Sequence, residues 1–198
     1  MPTLVEESLA LRARYDEEPS HSDQVTKLAL QIFDGLRDWF GLGERPRELL
    51  QSAALLHDIG WSQTPDGKGH HKWSAKLIQE QAWKKLTKDE VRIVAQIARY
   101  HRKAVPQADH EEFQALPATA QKLVMVLGGI LRIADGLDRT HLARVEGVEV
   151  AVFDAEILVR VRSTGAWDAE RAMFEMKKDM LELAAKRTVH CEPFDPKV

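Results

Sequence analysis

The stretch Ala53-Ala-Leu-Leu-His57-Asp58-Ile-Gly60 ends a run of aliphatic residues with two titratable ones. Pro46 suits a first helical turn and Gly60 a helix stop, which predicts a helix over residues 46–59. Leu49 and Ala53 precede His57 by eight and four positions, so His57 falls on a core-facing stripe, with Asp58 on its flank. An ionised carboxylate buried without a partner costs several kcal/mol, and an unpaired polar group roughly 1–3 kcal/mol. Such a pair needs compensation from elsewhere in the fold.

Working outward, the same anomaly recurs on other predicted helices. Ser20 is the expected N-cap of a helix over residues 21–40, in which Val25, Leu28 and Ile32 follow His21 at helical spacing. Helices are also predicted over residues 72–84, 88–102 and 118–140. Val91, Val94 and Ala98 lead to His101, while Val124, Gly128 and Leu131 share an azimuth with Asp135. His70-His71 stands at the entry of the 72–84 helix, after a loop of turn formers, Ser62-Gln-Thr-Pro-Asp-Gly-Lys-Gly69. A lone histidine on such a face is usually a satisfied core residue. The ordered set His21, His57-Asp58, His70 or His71, His101 and Asp135 points instead to a shared divalent cation, because neutral imidazole and ionised carboxylate are its natural ligands. That donor mix suits Mn, Fe, Co, Ni or Zn, with Mg left open. No cysteine joins it, which argues against a structural zinc site.

After Arg144 the periodicity changes from helical to two-residue alternation. Val148, Val150 and Val152, then Ile157, Val159 and Val161, predict two strands around a turn at Asp154-Ala-Glu156. A last helix is expected over residues 167–186. The expected organisation is a helical body of residues 1–145 followed by a β-hairpin and a helix packing on it in residues 146–198. The apolar face of that helix, with Trp167, Met173, Phe174, Met176 and Leu181, would support a homodimer or pack on the strands.

Composition sets outer bounds. The 198 residues are 44% hydrophobic and 30% charged, which suits a folded globular chain. The most apolar stretch, residues 122–134, is interrupted by Gly128, Gly129 and Arg132, so no membrane span is expected. The acidic N-terminus lacks a secretory layout, and the single cysteine, Cys191, rules out an internal disulfide; both predict a cytoplasmic protein. A net charge of −3 gives no general attraction to a nucleic acid polymer or a membrane. Phosphate binding would have to be local, through Lys72, Arg102, Arg132 and Arg139, which lie near the candidate ligands in sequence. A solvated surface charge is the alternative for each. Lys68 is a weaker candidate, and Trp61, Trp73 and Trp167 suit core packing better than stacking on a base.

The order of these residues resembles the HD superfamily of metal-dependent phosphohydrolases, a helical fold. The resemblance implies that His21, His57, Asp58 and Asp135 bind a first metal, and that His70 (or His71) and His101 supply a second. Ala53-Ala-Leu-Leu-His-Asp-Ile-Gly60, His70-His-Lys-Trp-Ser-Ala75, Tyr100-His-Arg-Lys103 and Leu131-Arg-Ile-Ala-Asp-Gly-Leu-Asp-Arg-Thr-His141 are similar to the C-terminal HD region of the exopolyphosphatase/guanosine pentaphosphatase (Ppx/GppA) family. So is the tail with Trp167-Asp-Ala-Glu-Arg171 and Lys177-Lys-Asp179. Members usually carry an N-terminal actin-like phosphatase module, which 198 residues do not accommodate beside this region, so activity through that module is not carried over. The fold implied is mainly α, an HD helical bundle with a small strand–strand–helix appendage. The function implied is hydrolysis of a phosphorylated small molecule, nucleotide or polyphosphate-like, by metal-activated water with Asp58 as the catalytic carboxylate. The alternative is a non-catalytic regulatory module that binds polyphosphate or a nucleotide. A third reading is an interaction domain with a structural metal.

Overall fold

The structure is a computed structural model and describes residues 2–194; residues 195–198, the end of the predicted C-terminal unit, lie outside it. Nine α-helices and three strands are found among the described residues. The helices are α1 (Leu4–Arg12), α2 (Pro19–Phe40), α3 (Glu44–Leu56), α4 (His70–Glu80), α5 (Lys88–Arg99), α6 (Glu111–Gln114), α7 (Ala118–Gly136), α8 (Asp168–Lys177) and α9 (Asp179–Ala185). The strands are β1 (Val145–Val152), β2 (Glu156–Ser163) and β3 (Thr188–Pro193). The expectation of a mainly helical chain with a small C-terminal sheet is met.

Local chemistry accounts for where the helices start and stop. α1 and α5 each open on a capping box, Thr3 with Glu6 and Thr87 with Glu90, which satisfies first-turn amides at both ends of the box. α2 starts at Pro19 behind Glu18, so Ser20 is inside the helix and not its N-cap. It ends on Gly41 at φ 65°, a left-handed conformation that glycine adopts without strain. α4 stops at Glu80, short of the expected residue 84. The Trp83 indole Nε1 donates at 2.8 Å to the Ile78 carbonyl that the helix end leaves free. α5 stops at Arg99 and α7 at Gly136, so His101 and Asp135 sit at helix C-termini and not in mid-helix.

α2 lies centrally, burying Val25, Leu28, Ala29, Ile32, Phe33 and Leu36 against α3, α7 and β1. Each such side chain removed from water contributes about 1.5–3 kcal/mol. β1 pairs antiparallel with β2, as the alternation predicted, with a bulge between Val145 and Gly147. β2 then pairs parallel with β3, a strand the sequence reading did not contain. The expected last helix is two, α8 and α9, which form the crossover between these parallel strands. Asp179 marks the break between them, held from across the fold by the Arg132 guanidinium at 3.0 Å. Phe174, Met180 and Leu181 are buried within the chain, whereas Met176 is exposed. α9 packs directly on α7 at Gly129, where an added Cβ would lie 2.7 Å from the backbone nitrogen of Leu181. Gly129 therefore serves close helix approach, whereas Gly128 faces the flexible end of the Met180 side chain.

Candidate metal centre

Six of the candidate ligands meet at one end of the helical layer, each delivered by a helix terminus. His21 and His70 lie in the first turns of α2 and α4; His57 caps α3; His101 follows the end of α5; Asp135 is in the last turn of α7. Asp58 stands between α3 and the 3-10 turn Ile59–Gln63. Gly60 makes this meeting possible. A Cβ there would lie 2.1 Å from the His70 carbonyl oxygen and 2.5 Å from the Ser74 nitrogen, so only glycine lets the first turn of α4 close onto the His57-Asp58 segment. The Gly60 amide donates to Ser74 Oγ at 2.9 Å and locks the contact.

The ligand atoms fall into two triads. His21, His57 and Asp135 present one donor atom each within 4.8 Å of one another, and Asp58, His70 and His101 do the same. Asp58 joins them. Its Oδ2 lies 3.5 Å from His57 Nε2 and 3.8 Å from His21 Nε2, while its Oδ1 lies 3.3 Å from His70 Nε2 and 3.4 Å from His101 Nε2. Asp135 Oδ1 is 3.3 Å from His21 Nε2 and 3.8 Å from His57 Nε2.

Hydrogen bonds behind the rings decide which nitrogen faces the centre. Nδ1 of His57, His70 and His101 lies 2.8, 2.9 and 2.7 Å from the carbonyl oxygens of Ala54, Gly67 and Ala98, each three residues earlier. Nδ1 of His21 lies 2.8 Å from Asp138 Oδ2. Carbonyl and carboxylate oxygens only accept, so Nδ1 carries the proton in all four rings and the Nε2 lone pairs converge on the centre. His70 Nε2 and His101 Nε2 accordingly face each other at 3.3 Å with no proton to share in the neutral state.

These residues fit a divalent cation. Nε2 of His21 and of His57 and Oδ1 of Asp58 are buried without a hydrogen-bond partner among the described residues; a cation in the first triad would satisfy the two nitrogens and one in the second the carboxylate oxygen. Protons are the substitute. Burial opposes the charged form of His21, yet the neighbouring carboxylates of Asp135 and Asp138 outweigh it and raise its pKa to about 10. His57 is raised likewise, with Asp58 and Asp135 overcoming its burial. Burial by itself would raise the carboxyls, but His57 and its neighbours hold Asp58 well below the usual range, and Lys177 and His21 do so for Asp135. His101 goes the other way, its burial pushing it well down and keeping the ring neutral.

A cavity of about 380 Å³ opens above the triads, rimmed by Arg102, Lys103, Arg139, His141, Met173, Met176 and Lys177. Arg139 is exposed at this rim. Arg102 lies over His70, its Nη1 3.2 Å from both ring nitrogens. Two basic residues singled out from sequence are placed differently. Arg132 also lines this cavity, but it is 3% exposed and its donors engage Asp179 and the Tyr100 and Lys103 carbonyls, so it ties α7 to α9. Lys72 lines a neighbouring cavity. Of the doubled histidine, His70 reaches Asp58, and His71 does not join either triad.

Sequence reasoning missed three neighbours of the site. Lys177 from α8 pairs with Asp135. His141 stacks on His21 with ring centroids 3.8 Å apart and pairs with Glu18 at 2.9 Å. Asp138 pairs with His21 at 2.8 Å. Asp138 carried a local signal, lying one turn after Asp135; Lys177 carried none, being 42 residues from its partner in sequence.

The fold and the site define a mainly helical protein with paired His/Asp triads that could each hold a metal ion. A family model described as Ppx/GppA phosphatase, domain III, matches residues 7–182, and the chain belongs to that family. No curated protein matches it. No helix among the described residues is long and apolar enough to cross a membrane.

Proposed function

We propose that the chain is an HD-type, metal-dependent phosphohydrolase that acts on a phosphorylated small molecule. The observation that carries this reading is Asp58, whose two carboxylate oxygens face separate triads of converging lone pairs. Its family relation to phosphatases supports the same chemistry. His21, His57, Asp58 and Asp135 would hold one ion, and Asp58, His70 and His101 a second. Nitrogen donors outnumber carboxylates, which favours Mn, Fe, Co, Ni or Zn over Mg. When bound, such ions supply Lewis acidity that activates water and neutralises charge on a phosphoryl oxygen.

The chain's own residues do the rest. Asp58 spans the triads and fixes their separation. Ala54, Gly67, Ala98 and Asp138 hold the imidazoles in one tautomer, so no reorganisation is needed as charge develops. Arg139, Arg102 and Lys177 at the rim would seat the phosphate oxygens, and Met173 and Met176 would limit water at the mouth. In a two-part organisation, residues 146–198 would contribute Met173, Met176 and Lys177 to a site otherwise built from residues 1–145.

A second reading, a binding module without turnover, is favoured by the family description, which names a domain of a phosphatase. Both readings are tested on protein loaded with Mn, Co, Ni or Zn, assayed against nucleotides, phosphomonoesters and polyphosphate beside Asp58→Asn. Hydrolysis that the variant loses together with its metal supports the enzyme. Metal and ligand binding without turnover leaves the module. Full activity in Asp58→Asn rejects the site.

A further inference from the structure

Beside the metal cavity lies a second one of about 390 Å³, and its lining is strongly one-signed. His71, Lys72, Arg99, Arg102 and Lys103 line it, and no aspartate or glutamate does. No carboxylate among the described residues forms an ion pair with any of the four cations. Arg99 also borders a second recess, which Asp109, Glu111 and Glu112 line. Four like charges with no carboxylate between them in the cavity repel one another, and a fold tolerates that where an anion from solution completes the set. The first turn of α4 adds to this field. Gly69, His71 and Lys72 line the cavity; the amides of His70, Lys72 and Trp73 donate to the Gly67 and Gly69 carbonyls, so the helix contributes its dipole and not free donors. His71 supplies an independent sign of a missing ligand. It is 8% exposed, and its Nδ1 is buried with no hydrogen-bond partner among the described residues.

The geometry points to a second oxyanion subsite here, built for a tetrahedral phosphate-class group. Arg102 and Lys103 line both this cavity and the metal cavity, so the two abut along one basic ridge. A ligand with two or more phosphate groups would set one above the triads and another between Lys72 and Arg99. The extension to substrate rests on the proposed phosphohydrolase reading; the anion subsite itself does not.

The test uses the full chain stripped of metal by a chelator and titrated calorimetrically with inorganic triphosphate. Wild type is expected to bind, and Lys72→Gln/Arg99→Gln to bind at least about tenfold more weakly, each lost charge-assisted bond being of that order. Lys122→Gln/Lys186→Gln, an equal charge change on a distant face, is expected to bind within about twofold of wild type. Equal losses in both double variants would reduce the effect to net charge and overturn the subsite, as would wild-type affinity in Lys72→Gln/Arg99→Gln. Absence of binding to wild type overturns it outright. Should the double variant lose its helical signal, Lys72→Gln alone, at an exposed position, repeats the comparison. Asp58→Asn separates this proposal from the catalytic one: it is expected to keep triphosphate binding without metal, whether or not hydrolysis was ever present.

Discussion

The triad of His21, His57 and Asp135 sits deeper in negative charge than the triad of Asp58, His70 and His101. The first has Asp135 to itself, though Lys177 pairs with that carboxylate; it also shares Asp58 Oδ2 and has Asp138 behind His21. The second shares Asp58 Oδ1, has no carboxylate of its own, and carries the Arg102 guanidinium over His70. The rings are also held differently. His57, His70 and His101 are oriented by backbone carbonyls, which substitution cannot remove, while His21 depends on a side chain. The lesson is that two sites sharing one bridging carboxylate need not be equivalent: the first should bind its ion tightly, the second weakly and exchangeably.

The largest expected effect comes from taking one ligand from each triad. Asp135→Asn should weaken the tight ion by more than the ~10–100-fold that an outer-shell change costs, while His101→Ala should empty only the weak site. Elemental analysis after dialysis would then read about one ion for His101→Ala, and loss of the tight ion for Asp135→Asn. Identical stoichiometries for the two variants would erase the distinction between the triads. Next in size is Asp138→Asn, which loosens the tautomer and orientation of His21 alone. A ~10–100-fold loss of affinity at the tight site, with the weak site unchanged, is expected in competition titrations against a chromophoric chelator. The smallest effect belongs to Arg102→Ala. Removing that cation should strengthen the second ion roughly three- to tenfold, more at low ionic strength than at high. Weaker binding of the second ion would show instead that Arg102 holds His70 in place.

Legibility in the sequence followed how local each signal was. His21, His57, His101 and Asp135 stand out because helical spacing from Val25, Leu49, Val94 and Leu131 places each on an apolar stripe, and that spacing is a property of neighbouring residues. The two strands of alternating valines were legible for the same reason. β3 was not: Val189 and Cys191 alternate over too few residues to mark a strand, and its partner β2 is 32 residues earlier. Arg132 is a different case. Lying three residues before Asp135, it looked available to phosphate, and only the arrival of Asp179 from α9 shows its donors committed.

What the chain determined by itself was the placement of α2, α3, α4, α5 and α7 and the identity of the buried polar positions they carry, since periodicity and breakers act within a few residues; α1, α6 and the division of α8 from α9 were not legible. Tertiary packing decided the rest. It divided the ligand atoms into two triads, gave Asp58 a face on each, chose His70 over His71, and brought Lys177 to Asp135. Distances of a few ångströms between residues 21 and 135, or 58 and 101, depend on how whole helices dock, and the close approach that Gly60 permits has no trace in any single segment.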